Sequence, residues 1–188
     1  MKITEDAFNR AKKIKLIIFD VDGVLTDGGI YIGESGELFK AFHCQDGLGI
    51  KLAQNFGVQT AILTGRESVC TSNRAKDLGI TAVKQGQMDK RNAYKELKVE
   101  FNLRDDEIAY VADDLIDLPV FVQVGFRAAV ANARIEVKER ANFVAENDGG
   151  KGAVREVVEF ILKAQGKWAD IVKHYTTVET AEKFLVNQ

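Results

Sequence analysis

Short apolar runs recur along the chain, separated by stretches with helical signals. Leu16-Ile17-Ile18-Phe19 is continuous in hydrophobicity and β-branched or aromatic, the pattern of a strand covered on both faces in a parallel sheet. Further strands are predicted over Val58 to Leu63, Ile80 to Lys84, Glu107 to Ala112, Phe126 to Ala131 and Asn142 to Ala145. Between them the pattern predicts helices from Lys51 to Phe56 ending at Gly57, from Ser68 to Leu78 ending at Gly79, and from about Asp89, a candidate cap, to Phe101. Pro119 opens a short helix to Val122, Ile135 to Arg140 forms another, and a longer one runs to Ala164. A lead-in helix over Thr4 to Lys13 takes Thr4 as its cap. Alternation of strand and helix predicts an α/β fold around a parallel sheet.

One segment breaks the alternation. Ile30-Tyr31-Ile32 and Glu37 to Phe42 flank a glycine-containing connection, which predicts a β-hairpin at about 28–43. It would lie over the carboxyl edge of the first strand, or pair with another subunit through its free edge. The domain is expected to span 1–164, followed by a tail over 165–188 carrying Trp168, Tyr175 and Phe184.

Composition narrows the function classes. The 188 residues suit a single domain, and 46% hydrophobic with 29% charged residues is an ordinary globular balance. A net charge of −2 supplies no basic field for nucleic acid. No apolar stretch is long enough to cross a bilayer and the start lacks a signal-peptide core, so a cytoplasmic protein without membrane contact is expected. Cys44 and Cys70 form no metal or redox motif, and His43 and His174 are too scattered for a histidine metal site.

Candidate chemistry gathers at the predicted strand ends. Asp20 and Asp22 stand one residue apart where the first strand stops, so one carboxylate can act as nucleophile while the other handles protons. Thr64-Gly65-Arg66 ends the second strand with a hydroxyl, a permissive glycine and a guanidinium, groups able to hold a phosphoryl oxygen. Lys90 is expected in the first turn of its helix, where the helix dipole disfavours a cation, so a local anion is expected beside it. Asp113 and Asp114 end the fourth strand, with Asp117 a turn later; carboxylates from both clusters would repel unless a hard cation, best Mg²⁺, held them. Asp114 and Asp117 also read as helix caps. The turn Asp148-Gly149-Gly150-Lys151-Gly152 could cradle an anion, although it lacks the spacing of a nucleotide loop.

Asp20-Val21-Asp22-Gly23-Val24, then Thr64, Lys90 and Asp113-Asp114, together resemble the four ordered motifs of the haloacid dehalogenase superfamily of phosphotransferases. The resemblance implies a Rossmann-like three-layer fold with Asp20 as nucleophile and Asp22 as general acid/base. It also implies Mg²⁺ held by Asp20, the Asp22 carbonyl and Asp113 with Asp114 supporting, and a phosphoryl group held by Thr64 and Lys90. The single hairpin in place of a separate cap domain, Phe42 to Gly49, Leu63 to Arg66, Arg74 to Gly79 and Gly149 to Ala153 are similar to the family of 3-deoxy-D-manno-octulosonate (KDO) 8-phosphate phosphatases. That narrower resemblance implies a phosphorylated sugar acid as substrate, a place in lipopolysaccharide precursor synthesis, and a homotetramer whose hairpins meet and whose tails reach neighbouring sites. It also marks Arg66, Arg74, Asp46 and Gly47 as candidate substrate contacts. Gln45 replaces an arginine usual in the family, and Ala112 a glycine. The alternatives are a phosphatase for a nine-carbon sialic-type acid 9-phosphate, a phospho-accepting signalling module, and a catalytically silent scaffold.

Overall fold

A computed structural model describes residues 4–34 and 36–177. In chain order the strands are β1 (Leu16–Phe19), β2 (Tyr31–Gly33), β3 (Gly36–Phe39), β4 (Gln59–Leu63), β5 (Ala82–Lys84), β6 (Ile108–Ala112), β7 (Phe126–Ala129) and β8 (Phe143–Val144). The helices are α1 (Glu5–Ala11), α2 (Cys44–Asn55), α3 (Val69–Leu78), α4 (Arg91–Glu100), α5 (Leu118–Phe121), α6 (Ile135–Lys138), α7 (Ala153–Ala164) and α8 (Trp168–Thr176). Six strands make one sheet in the order β5-β4-β1-β6-β7-β8, and every neighbouring pair is parallel. β1 and β6 are buried at every position, as their unbroken apolar sequences require.

The order of strands determines where a ligand fits. From β1 the chain builds outward through β4 and β5, then returns to lay β6, β7 and β8 on the other side of β1. That reversal puts a crevice at the carboxyl ends of β4, β1 and β6, where open α/β sheets take their ligands.

Helix α2 begins earlier than its sequence suggests. Glycines cost roughly 1 kcal/mol each in a helix interior, so Asp46 to Ile50 reads as a lead-in, yet α2 is helical from Cys44. Tertiary contact overrides propensity. A Cβ at Gly47 would lie 2.3 Å from the Arg74 guanidinium, and one at Gly49 would lie 3.1 Å from the Arg155 side chain. Both glycines therefore let α2 sit close to its neighbours. Asp46 reinforces the same packing: it is buried, and its carboxylate accepts the N–H groups of Gly152 at 3.2 Å and Arg155 at 2.8 Å, capping α7.

The hairpin β2–β3 forms a separate two-stranded antiparallel sheet, and Tyr31 and Phe39 stack across it with ring centroids 4.4 Å apart. Of the predicted tail, α8 lies on the domain, with Ile171 buried and Trp168 packed against the core under Arg155 and Lys163. Phe184 falls outside the described residues.

Candidate active site

Phe19 at the end of β1 lies level with Ile62 of β4 and Val111 of β6. Asp20 therefore stands at the sheet's carboxyl edge, between Thr64 after β4 and Asp113 after β6. Its N–H still donates to the Val111 carbonyl at 3.2 Å, so the ladder itself positions this carboxylate. The chain turns at Gly23 with φ +90°, where a Cβ would lie 2.1 Å from a carboxylate oxygen of Asp113. Glycine both adopts that conformation and admits Asp113 to the first loop.

Lys90 enters from the cap position of α4, wholly buried, and its Nζ lies 2.9 Å from Asp20 Oδ1 and 2.6 Å from Asp117 Oδ1. The anion expected beside it is thus a pair of carboxylates. Nζ also donates to the Tyr110 hydroxyl at 3.1 Å, and that hydroxyl donates to Asp117 Oδ1 at 2.8 Å. Burial alone would lower the Lys90 ammonium, but Asp20 and Asp117 outweigh it and raise it above its ordinary value. A charged lysine is consequently held against Asp20. Asp89 does not occupy the cap position; its carboxylate pairs with the Arg91 guanidinium at 2.7 and 2.8 Å.

Asp20, Asp113 and Asp117 each bring an oxygen within 4.8 Å of the others. Burial first, and then the charge of Asp117, pushes Asp20 up to about 6. Burial, followed by Asp20 and Asp117, pushes Asp113 up to about 8. Asp113 Oδ1 is buried with no hydrogen-bond partner among the described residues. Crowded carboxylates with an uncommitted oxygen suit a hard, oxygen-seeking divalent ion such as Mg²⁺. Asp117 Oδ1 is taken by Lys90 and Tyr110, and Oδ2 accepts the N–H groups of Asp113 and Asp114, both at 3.3 Å. Asp20 and Asp113 are therefore the carboxylates with capacity left for a metal.

One expected supporting ligand stands differently. Asp114 is exposed, and its carboxylate accepts the Leu115 N–H at 2.7 Å as the cap of a 3₁₀ turn over Leu115–Asp117. The inward place expected for Asp114 belongs to Asp117, because the tight turn carries the later residue back under the strand end. The Asp22 carboxylate, expected to move protons while its carbonyl serves as the ligand, lies outside the acidic group. Its Oδ1 bonds the Lys40 ammonium and its Oδ2 lies 3.8 Å from Arg66 Nε. Lys40 follows β3 with its side chain only 1% exposed, 3.0 Å from Glu37 Oε1, and Glu37 in turn bonds the Ser68 hydroxyl. Burial opposes the charge on Lys40, and hydrogen bonds to Asp22 and Glu37 reverse that, raising it above its ordinary value.

Thr64 is buried at the end of β4, its N–H on the Lys84 carbonyl at 2.9 Å and its own carbonyl accepting from Gln87 at 3.0 Å. Arg66 is half-exposed at the mouth. Arg74 is paired with Asp77 at 2.6 Å and lies over the Phe42 ring, against Gly47. Asp46 and Gly47, expected as substrate contacts, serve the packing of α2 on α7 and α3, since the Asp46 oxygens are committed to α7 and Gly47 is covered by Arg74. The glycine-rich turn forms no anion cradle: the Gly150 N–H donates to the Val24 carbonyl at 2.9 Å, and a Cβ at Gly149 would lie 1.7 Å from the Gly23 carbonyl oxygen. It clamps the loop that carries Asp22.

Sequence reasoning missed Lys40 and Tyr110. A lone lysine within Leu38-Phe39-Lys40-Ala41-Phe42 was a usable signal, since a charge inside an apolar stretch is buried only when paired.

Comparison with known proteins agrees with this geometry. A family described as haloacid dehalogenase-like hydrolase matches residues 80–157. The 3-deoxy-D-manno-octulosonate 8-phosphate phosphatase KdsC of Yersinia pestis is 46% identical over 165 residues, 88% of each chain, and that of Escherichia coli K12 is 45% identical over the same share. The crystal structure of the Yersinia pestis phosphatase superposes with a TM-score of 0.86 at 46% identity, covering 88% of this chain and 89% of that one. The Moraxella catarrhalis phosphatase, solved with a magnesium ion, a phosphate ion and KDO, superposes with a TM-score of 0.89 at 39% identity, covering 92% of this chain and 99% of that one.

Proposed function

This chain belongs to the 3-deoxy-D-manno-octulosonate 8-phosphate phosphatase family of haloacid dehalogenase-like hydrolases, and on that premise we propose that it hydrolyses this phosphomonoester to KDO and inorganic phosphate. The observation that carries the reading is the convergence of Asp20, Asp113 and Lys90 at the strand-order reversal. Asp20 attacks phosphorus and the bond to the sugar oxygen breaks, leaving an aspartyl-phosphate. Asp22 gives its proton to the departing sugar oxygen, then takes one from the water that releases phosphate. Lys90 holds a positive charge against the transferring group, and Thr64 fixes its orientation. Asp20, the Asp22 carbonyl and Asp113 would hold Mg²⁺, which when bound would neutralise phosphoryl charge. Arg66 and Arg74 are the candidates for the substrate's carboxylate.

The exposed apolar side chains of the hairpin, Ile30, Tyr31, Ile32, Leu38 and Phe39, support a homotetramer built through these flaps. Among the described residues no helix is long and apolar enough to cross a membrane, and the enzyme's place in lipopolysaccharide precursor synthesis would be cytoplasmic.

The test is phosphate release from a panel of phosphosugars in Mg²⁺, with Asp20→Asn as control. Preference for the eight-carbon sugar acid phosphate, abolished by Asp20→Asn and by chelation, is the expected result. Faster release from the nine-carbon 9-phosphate would change the substrate, and equal rates on hexose phosphates would remove the sugar-acid assignment. An acyl-phosphate that persists without turnover would overturn hydrolysis itself.

A further inference from the structure

The Asp22 carboxylate is held from the hairpin, and nothing in the reaction scheme yet uses that. Lys40 reaches Asp22 Oδ1 from the end of β3, its side chain only 1% exposed, while Glu37 from the same strand lies 3.0 Å from the ammonium and bonds the Ser68 hydroxyl. Ser68 is itself fixed, accepting from Thr71 at 3.3 Å as the cap of α3 and donating its N–H to Gln85 at 2.8 Å. The chain Asp22–Lys40–Glu37–Ser68 therefore runs from the first catalytic loop, through the flap, to the start of α3.

We propose that Lys40 is a positioning residue for phosphoryl transfer, fixing which oxygen of Asp22 exchanges a proton with the leaving group. The proposal rests on the acid/base role given to Asp22 above. An ammonium has three donors and no acceptor, so Oδ1, facing Lys40, can only accept. The exchangeable proton is confined to Oδ2, the oxygen on the Arg66 side at the mouth, 3.8 Å from Arg66 Nε. As the bond from phosphorus to the sugar oxygen breaks and that to Asp20 forms, the Oδ2 proton passes to the sugar oxygen. In the second step the attacking water returns a proton to Oδ2 while the bond from phosphorus to Asp20 breaks. Without Lys40, a partly exposed carboxylate on a turn would rotate freely, and the fraction of encounters with Oδ2 in place would fall. Glu37 holds Lys40 upright, and the ammonium offsets two carboxylates that would otherwise crowd each other.

Leaving-group dependence separates this role from simple anchoring of the flap. A sugar alkoxide needs protonation, whereas dinitrophenolate does not. Lys40→Met is expected to lower kcat about 10- to 100-fold on the sugar acid phosphate, within the usual worth of a positioned general acid, with KM nearly unchanged. In the initial burst of dinitrophenolate from 2,4-dinitrophenyl phosphate, which reports transfer to Asp20 alone and not the later water step, the same variant should stay within about threefold of wild type, which also reports that it folds. Lys40→Arg should recover much of the loss. Asp22→Asn should show the same contrast between sugar acid turnover and the dinitrophenolate burst, and adding Lys40→Met to it should cost nothing further. A dinitrophenolate burst slowed as much as sugar acid turnover, or a full additional loss in the double variant, would overturn the role of Lys40 alone. An Asp22→Asn variant that fails to distinguish the substrates would overturn the acid/base reading, and this proposal with it.

Discussion

At the scale of single residues, the site is organised by groups that never touch substrate. Asp117 bonds Lys90, Tyr110 and the N–H groups of Asp113 and Asp114, so one buried carboxylate aims both the lysine and the strand end. Asp117→Asn should therefore lose about 3–5 kcal/mol of stability, the usual cost of breaking a buried pair, and most activity; denaturant unfolding and phosphate release check both. Gly23→Ala pushes a methyl into Asp113 and should weaken Mg²⁺ binding roughly 10- to 100-fold, the range seen when support for a ligand is disturbed, measurable by calorimetry. Asp20 and Asp113 also set a pH dependence. Their folded values, about 6 and about 8, lie above the unfolded carboxylate range. In metal-free protein the stability they contribute is complete below about pH 4 and is lost as pH rises through 6 and then 8. A divalent ion binds the ionised pair, so the rise in Tm produced by Mg²⁺ over EDTA should grow from pH 5 to pH 8. A Tm difference that shrinks over that range would count against these carboxylates as ligands.

At the scale of elements, the same carboxylate chemistry serves architecture when its partner is a helix. Asp46 binds the first N–H groups of α7, so Asp46→Ala should cost about 1–2 kcal/mol, as removal of a helix cap does, and leave KM unchanged. A raised KM with unchanged stability would return Asp46 to the substrate. This case shows what the sequence could and could not disclose. The strands were legible because Leu16 to Phe19 and Ile108 to Ala112 are continuous apolar runs, and a run that is buried on both faces has few other homes. Asp20 and Asp113 follow from strand ends and Lys90 from the start of its helix, and they could be placed together once the sheet was parallel. The start of α2 could not, because Gly47 and Gly49 argue against a helix until Arg74 and Arg155 are seen lying on them. Nor could the exchange of Asp114 for Asp117: three carboxylates in five residues look alike in sequence, and only the 3₁₀ turn turns one outward and another in.

At the scale of the whole molecule, the hairpin is the part whose sequence and surroundings disagree most. Two strands alone are marginal in water, and β2 and β3 pair with no other strand among the described residues. Their inner end is tied down by Lys40 and Glu37, whereas Ile32 and Leu38, 69% and 58% exposed, remain open to solvent. A surface that apolar on so small an element is stabilised when another copy covers it. On the proposed homotetramer, wild-type protein should sediment as four copies of the 20.8 kDa chain, and Ile32→Lys should shift it toward smaller species by placing like charges at the contact. Because Lys40 follows the strand that carries Leu38 of this apolar face, loss of assembly should also loosen the hold on Asp22. The dissociated variant is then expected to lose kcat on the sugar acid phosphate more than it slows the initial burst of dinitrophenolate from 2,4-dinitrophenyl phosphate. An Ile32→Lys protein that remains tetrameric would show that the assembly is built elsewhere. One that dissociates with both activities intact would show that Lys40 holds its place without help from a neighbouring flap.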